Sequence, residues 1–369
     1  MKSLAVLPAL IALATTPCTP RVLSTDATSA QPTTVGHVVV TPLGSGVYAA
    51  IRAEPLGLAV NANSLFIVND DHVVVVDAQF TRAATEENIA ALRRLTNKPV
   101  RYVINTHWHD DHVAGDQAYR DAFPGVRFIA QTNTRTDLIE RGRPNRAGQL
   151  QGGPPVVDRF ERLLNMGLGG DSTPATPAER ESLSSAIRIF RQYVAEAPGY
   201  SEVLPDSVFD RRVTLAGGGR TIEVHWFGRG NTRGDAVTYL PKERIVSTGD
   251  LIVAPIPFGF GSYPTEWLAV LDSIVALHPA VIVPGHGPLM RDLSYVHTVR
   301  RLISTAREET LAAVANGLSA DSAIATVRLG ALRDEVAGNE KQMRGMFESF
   351  FRRPIIARVY EEAKSGPLK

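Results

Sequence analysis

Thiol chemistry is nearly absent from this chain: of 369 residues, one is cysteine, Cys18. A disulfide framework needs pairs and a thiolate metal site needs several, so neither can be built. Charge of one sign is missing too. Lys plus Arg (39) nearly cancels Asp plus Glu (38), which removes the broad positive field that draws polyanions, and nucleic acid is a disfavoured partner. No apolar run is long enough to cross a bilayer. Hydrophobic residues still make up 44% of the chain, enough for a large core, and the length suits one big domain with appendages or two small ones.

The one apolar stretch near the N-terminus, Leu4 to Ala14, follows the positive Lys2 and contains Ala12-Leu13-Ala14, a small-residue cleavage pattern. These features predict an export signal. Pro8 and the polar, Pro-containing stretch Thr15 to Thr34 oppose a helix continuing into the fold. A second possible cut follows Ala30, and residues 1–30 are read as signal peptide and linker, with the protein periplasmic or secreted. Pro17 before Cys18 is a poor match to the small residue that lipid attachment requires.

From Gly36 to Ala78, short β-branched runs alternate with turn residues: His37 to Thr41, Gly46 to Ile51, Ser64 to Val68 and His72 to Val76. They predict a strand meander. Thr85 to Leu95 has helical spacing, Val100 to Ile104 reads as a buried strand, and a second unit pairs a helix at Gly115 to Ala122 with a strand at Val126 to Ala130. Gly142 to Pro155 and Gly167 to Pro177 are rich in Gly, Pro and polar residues and read as irregular, bracketing helices at Val156 to Met166 and Ala178 to Ala197. An inserted helical segment over about 143–200 is expected. Strand texture returns at Arg212 to Leu215, Thr221 to Trp226, Ala236 to Leu240 and Arg244 to Ser247, and closes near Ala280 to Val283. Helices are expected at Thr265 to Leu277, at Arg291 to Asn316 and through most of Ser319 to Lys364. Meandering strands followed by helix-strand alternation predict an α/β fold with sheets covered by helices on their outer faces.

The strongest chemical signal is Asn105-Thr106-His107-Trp108-His109-Asp110-Asp111-His112, a strand end followed at once by four potential metal ligands. A tight turn there can aim imidazoles and a carboxylate into one small volume. Such a set suits zinc, and also iron or manganese. A solvated polar loop is the plainer alternative, but clustering His with Asp away from water without a cation would leave unpaired charge and donors. Two weaker signals share the same form: Ile245-Val246-Ser247 ends in Thr248-Gly249-Asp250, and Val281-Ile282-Val283 ends in Pro284-Gly285-His286-Gly287.

Taken in order, these motifs resemble the metallo-β-lactamase superfamily, whose members carry H-x-H-x-D-H, then G-H-T-x-G-D, a strand-end Asp and a G-H-G turn. The resemblance covers about residues 36–290 and implies a four-layer αββα sandwich, with 143–200 as a helical insertion and 291–369 as a C-terminal helical extension. It implies one metal at His107 and His109, a second at Asp111, His112 and His286, and Asp250 bridging both. Asp77, ending Val73 to Val76, corresponds to the family's buried aspartate that braces the metal loop. One position departs from the pattern. This chain reads Gly230-Asn231-Thr232-Arg233-Gly234-Asp235, so an asparagine stands where the family has the first metal's third histidine. An amide oxygen is a weaker zinc ligand than imidazole, and that metal is expected to be loosely held, replaced or absent. His225 reads as a structural residue of its strand rather than a substitute ligand.

The resemblance implies a hydrolase in which metal-bound hydroxide cleaves an acyl bond of a small ester, lactone, thioester or β-lactam, with Asp111 and Asp250 as catalytic groups and one or two Zn2+ ions. Arg233 and Tyr263 are candidate oxyanion donors. Val253 stands where many zinc β-lactamases carry a lysine, and Asp250 replaces their cysteine, so the loop looks more like thioesterase, lactonase and glyoxalase II members. Phe258 and Phe260, in the apolar run Pro255 to Tyr263, are candidate pocket residues, although an ordinary packed loop explains that run as well. Two other readings stay open: a metal-binding or redox-accessory protein with little hydrolytic activity, and a nuclease or phosphodiesterase, which the charge balance disfavours.

Overall fold

The computed structural model describes residues 31–55, 60–366 and 368. The expected signal peptide and linker, with Cys18, lie outside the described residues. One sheet holds eight strands in sequence order: β1 (Thr33–Val35), β2 (Val38–Gly44), β3 (Val47–Arg52), β4 (Ser64–Val68), β5 (Val73–Val76), β6 (Val100–Ile104), β7 (Arg127–Gln131) and β8 (Ser207–Phe209). The second holds β9 (Arg212–Gly217), β10 (Arg220–His225), β11 (Val237–Leu240), β12 (Ile245–Ser247) and β13 (Val281–Val283), running β13-β12-β11-β10-β9. Both begin as antiparallel meanders and end in parallel pairs, β5 to β8 in the first and β12 with β13 in the second.

The helices are α1 (Arg82–Leu95), α2 (Asp110–Val113), α3 (Asp116–Ala122), α4 (Thr132–Asp137), α5 (Arg143–Asn165), α6 (Pro177–Glu196), α7 (Pro264–Ala276), α8 (Ser294–Ala315), α9 (Ala320–Thr326), α10 (Gly330–Ala337), α11 (Lys341–Met346) and α12 (Arg353–Ser365). Strand alternation sends every second side chain to each face. Leu65, Ile67, Val74, Val76 and Ile104 meet Ile222, Val224, Leu240 and Ile245 between the sheets. Phe66, Val73, Val75 and Phe128 face outward onto Ile89 and Leu92 of α1 and Tyr119 of α3. Val237, Val246 and Ile282, on the opposite outer face, pack on α7, α8 and α12. The result is the four-layer αββα sandwich. β5 is four valines, all buried, because both of its faces are covered.

Some elements differ from the sequence-based expectation. Helix α1 starts at Arg82 rather than Thr85, because the Thr81 hydroxyl accepts from the Ala84 amide and caps the first turn. The stretch expected to be irregular at 142–155 is part of α5, which runs through Gly152, Gly153, Pro154 and Pro155. Packing against α6 overrides the local breakers: a side-chain carbon at Gly153 would sit 3.6 Å from Val194 of α6. Helix α6 begins where a capping box forms, with the Thr176 hydroxyl accepting from the Glu179 amide and the Glu179 carboxylate accepting from Thr176. Strands β1 and β8 have no counterpart in the sequence-based reading; each is three residues long, too short for an alternation to register.

The C-terminal helices share one apolar cluster with the second sheet, where Phe347, Phe351 and Ile355 lie buried with Val237, Val246 and Trp267. Truncating such an aromatic leaves a cavity under the sheet that carries Asp250. Phe351→Ala is expected to lower unfolding free energy by about 3–5 kcal/mol, read by chemical denaturation. A loss below about 1 kcal/mol would mean that the C-terminal helices are not part of this core.

Candidate metal centre

Chain segments leaving several strand ends converge at one edge of the sandwich. β6 leads into Thr106 and His107, α2 starts after His109, β12 leads into Gly249 and Asp250, and the neighbouring parallel strand β13 leads into Gly285 and His286. In sheets with parallel strands the carboxyl ends are where ligand sites form, since the chain leaves the ladder there with free backbone and side chains. Gly249 takes a left-handed backbone, φ 51°, directly before the carboxylate. Gly285 has no room for a side chain: a carbon there would lie 2.1 Å from Asp250 Oδ1 and 2.7 Å from the Gly249 carbonyl carbon.

Candidate ligand atoms gather in two groups, Asp111, His112, Asp250 and His286 in one and His107, His109 and Asp250 in the other, each within 4.8 Å. Asp250 belongs to both. Its Oδ1 lies 3.2 Å from His112 Nε2 and 3.4 Å from His286 Nε2, and its Oδ2 lies 3.6 Å from His107 Nε2. Asp111 Oδ2 lies 2.9 Å from His286 Nε2 and 3.4 Å from His112 Nε2. His107 Nε2 and His109 Nδ1 are 2.9 Å apart. Despite these short distances, both Asp250 oxygens, His112 Nε2 and His286 Nε2 are buried without hydrogen-bond geometry to any partner among the described residues. Buried polar atoms are nearly always partnered. Carboxylate and imidazole lone pairs converging in this way fit a divalent cation.

Supporting bonds hold the opposite ring nitrogens. Asp77, at φ 60°, accepts from the Thr106 amide (2.7 Å) and hydroxyl (2.8 Å) and sits 2.8 Å from His112 Nδ1. His286 Nδ1 bonds the Asn61 carbonyl at 3.0 Å, and the Asn63 side chain donates to the carbonyls of Pro284 and Gly287. Ring orientations are thereby set from behind the site. Burial lowers the His112 basicity, but Asp250, Asp111 and Asp77 outweigh it and raise its pKa well above the ordinary value. His286 is raised in the same way, against burial, by Asp250 and Asp111. His107 moves well below, through burial and the neighbouring imidazoles. Burial pushes Asp111 and Asp250 up, yet the facing histidines hold both well below the carboxylate range.

The Asn231 amide is buried, its NH2 donating to the Phe258 carbonyl at 3.0 Å while Oδ1 has no hydrogen-bond partner among the described residues. Nearby, Asp235 accepts from the amides of Gly230 and Thr232 and from the Thr232 hydroxyl; burial raises its pKa to about 7. His225 pairs with Glu223 at 2.8 Å and stacks on Phe227, outside both ligand groups. Val253 is buried.

A cavity of about 470 Å³ opens over the centre, with His109, Asp110, Asp111 and Asp250 on its polar floor. Phe258 and Phe260 line it together with Trp108, Phe80, Phe190 and Phe350. Arg233 and Tyr263 are not among the lining residues. The Arg233 guanidinium is paired with the buried carboxylate of Asp137 and with Glu140, tying the loop to α4, and Tyr263 is a core residue under Arg229 and Arg358. Sequence reasoning passes over Asp110. Its carboxylate accepts from Arg146 of α5 and, at 3.1 Å, from the Tyr193 hydroxyl of α6, and Arg146 stacks on Tyr200. No sequence signal points to it, because the partners lie 36 and 83 residues away.

Residues 57–286 match the family model of the metallo-beta-lactamase superfamily. That span is more than half of the chain and carries every candidate ligand. This protein belongs to the metallo-β-lactamase superfamily. Among curated relatives, it is 23% identical over 285 residues to a linear primary-alkylsulfatase of Pseudomonas sp., a stretch covering 70% of this chain and 48% of that protein. It is 24% identical over 249 residues to a type 2 metallo-beta-lactamase of Bacillus sp. strain 170, covering 66% of this chain and 73% of the relative. The chain thus spans about half the length of the alkylsulfatase it matches. The DIM-1 metallo-beta-lactamase crystal structure superposes with a TM-score of 0.50 at 18% identity, covering 74% of this chain and 100% of the other, a likeness of fold.

Two measurements test the centre. Gly285→Ala forces Asp250 aside, and the variant is expected to bind less metal and to lose roughly 1–3 kcal/mol of stability; wild-type metal content by elemental analysis would contradict the packing argument. A metal takes neutral imidazole, whereas Asp250, Asp111 and Asp77 raise the His112 pKa and so favour the proton that a metal must displace. Loading with Zn2+ at pH 7 is therefore expected to release protons, with affinity rising as pH rises. Calorimetry in two buffers of different ionisation enthalpy measures this, and identical heats in both would refute it.

Proposed function

We propose that the protein is a metal-dependent hydrolase that cleaves an acyl bond (ester, lactone, thioester or β-lactam) of a small molecule, with Zn2+ as the metal and Fe or Mn as substitutes. The observation that carries this reading is the convergence of Asp111, His112, Asp250 and His286 on one small volume, where His112, Asp250 and His286 hold buried, unpartnered ligand atoms and Asp111 and Asp250 border an open, largely apolar cavity. A divalent cation held by these residues supplies Lewis acidity, lowering the pKa of water toward neutrality and polarising the bond under attack.

The chain's own residues do the rest. Asp111, whose pKa the facing histidines lower, borders the cavity, so its carboxylate accepts a hydrogen bond from the attacking water and orients it. Asp250 lies between the two ligand groups and fixes their separation. Asp77 holds the His112 ring and the Thr106 backbone, keeping the loop in register. The apolar walls lower the local polarity, which strengthens the charge interactions at the floor. The same reading takes residues 1–30 as signal and linker of an exported protein, 36–290 as the catalytic domain, 143–200 as an insertion that covers the site and 291–369 as an extension. Its partner is a small molecule rather than nucleic acid. No helix among the described residues is long and apolar enough to cross a membrane.

Asn231 favours a second reading, a metal-binding or redox-accessory protein, because an amide stands where the family motif has an imidazole. The two are separated by metal analysis alongside turnover of a thioester, a lactone, a cephalosporin and an alkyl sulfate, the last because one relative bears the name alkylsulfatase. Turnover that stops on chelation and returns with Zn2+ supports the hydrolase. Bound metal without turnover of any of them supports the accessory role. Asn231→His is expected to bind more metal per chain than the wild type; equal content in both would show that the amide does not weaken the site.

A further inference from the structure

The cavity over the centre has a neighbour. A second, larger space of about 830 Å³ shares Val60, Phe190 and Phe350 with it, so the two lie side by side along a common border. The second space runs between α6 and α11 and is lined by Phe160, Leu183, Ala186, Phe190, Met346 and Phe350. Together the two exceed what the head of a small ester fills, since pockets for whole drug-sized ligands span roughly 300–1,000 Å³. That border is aromatic on both sides. Phe350 meets Phe258 and Phe260 at ring distances of 5.7 and 5.9 Å, and Phe80 meets Phe190 at 5.7 Å. Phe260 remains 41% exposed, an apolar surface that a ligand would cover.

Charged side chains near the path already have partners. At the far end Lys341 lies 2.6 Å from Asp171 and 3.6 Å from Glu179, and at the near end Asp110 is paired with Arg146. Outside the metal floor, then, the described residues along the path offer no free cation or anion for a second charged group on the ligand.

We infer that the two neighbouring cavities act as one site, in which a linear aliphatic chain attached to the scissile group runs past the shared aromatic border, which makes the substrate a long-chain ester or thioester rather than a compact ring. This rests on the hydrolase reading for the reacting end, but the chain site is a separate property of the α6–α11 space. Burying each methylene favours binding in proportion to the apolar area removed from water.

The test uses binding of linear alkanoates from butanoate to dodecanoate to the metal-loaded protein, so that the head group is constant and only chain length varies. Affinity is expected to rise about two- to fourfold per added methylene up to the longest member. Gly345, on α11 and lining the far space, has no positive φ, and a side-chain carbon added there would meet nothing within 4 Å, so a larger residue is accommodated without backbone strain. Gly345→Trp is expected to flatten the gain for the longest chains, and Gln342→Trp, from the same helix, supplies an independent block. Affinity independent of length, or a wild-type slope up to dodecanoate in both correctly folded variants, overturns the inference. A length-dependent series with no turnover of any ester keeps the chain site and sinks the hydrolase reading; turnover with no length dependence does the reverse.

Discussion

Carboxylates and imidazoles removed from water must be matched charge for charge, and that requirement organises this molecule. The histidines that they face lower the pKa of Asp111 and Asp250, while these carboxylates raise that of His112 and His286. Remove one side and the other becomes an unpaired buried charge, a costly state. The sandwich meets the requirement by bringing strand ends from both sheets to one edge, so that β6, β12 and β13 each deliver a ligand to a common volume. Asp77 extends the matching one step outward, joining β5 to the turn after β6 through three contacts.

Much of this was legible in the chain because the information is local. His107, His109, Asp111 and His112 are nearly contiguous, and Asp250 and His286 each follow a run of β-branched residues and a glycine. A strand end with a polar residue can be recognised without knowing what lies opposite. Contacts across the fold carry no such mark. Asp110 looks like one more acidic residue of the loop until α5 and α6 bring Arg146 and Tyr193 to it. Phe350 lies in a C-terminal helical stretch with no motif, yet it forms part of the cavity wall. Arg233 and Tyr263 show the converse: proximity in sequence to the motifs does not fix the direction of a side chain, and the pull of Asp137 on one and the core on the other decides it. The glycines and prolines of 142–155 conceal the start of α5 because local propensity is weaker than packing on a neighbouring helix.

The α5–α6 hairpin is fastened unevenly. At its base, Arg146 and Tyr193 reach the buried Asp110, and the Glu196 carboxylate accepts from the amides of Arg82 and Ala83, where the N-terminal end of α1 presents positive charge. At its turn, Asp171 meets Lys341 of α11 on the surface. The contacts at Asp110 are buried, whereas an exposed ion pair is readily screened by dissolved ions.

The outer mouth between α6 and α11 is thus bordered by a contact that dissolved electrolyte weakens, while the floor beside Asp110 is insulated from it. Added salt therefore acts on the fastening at Lys341 and spares the buried one at Asp110.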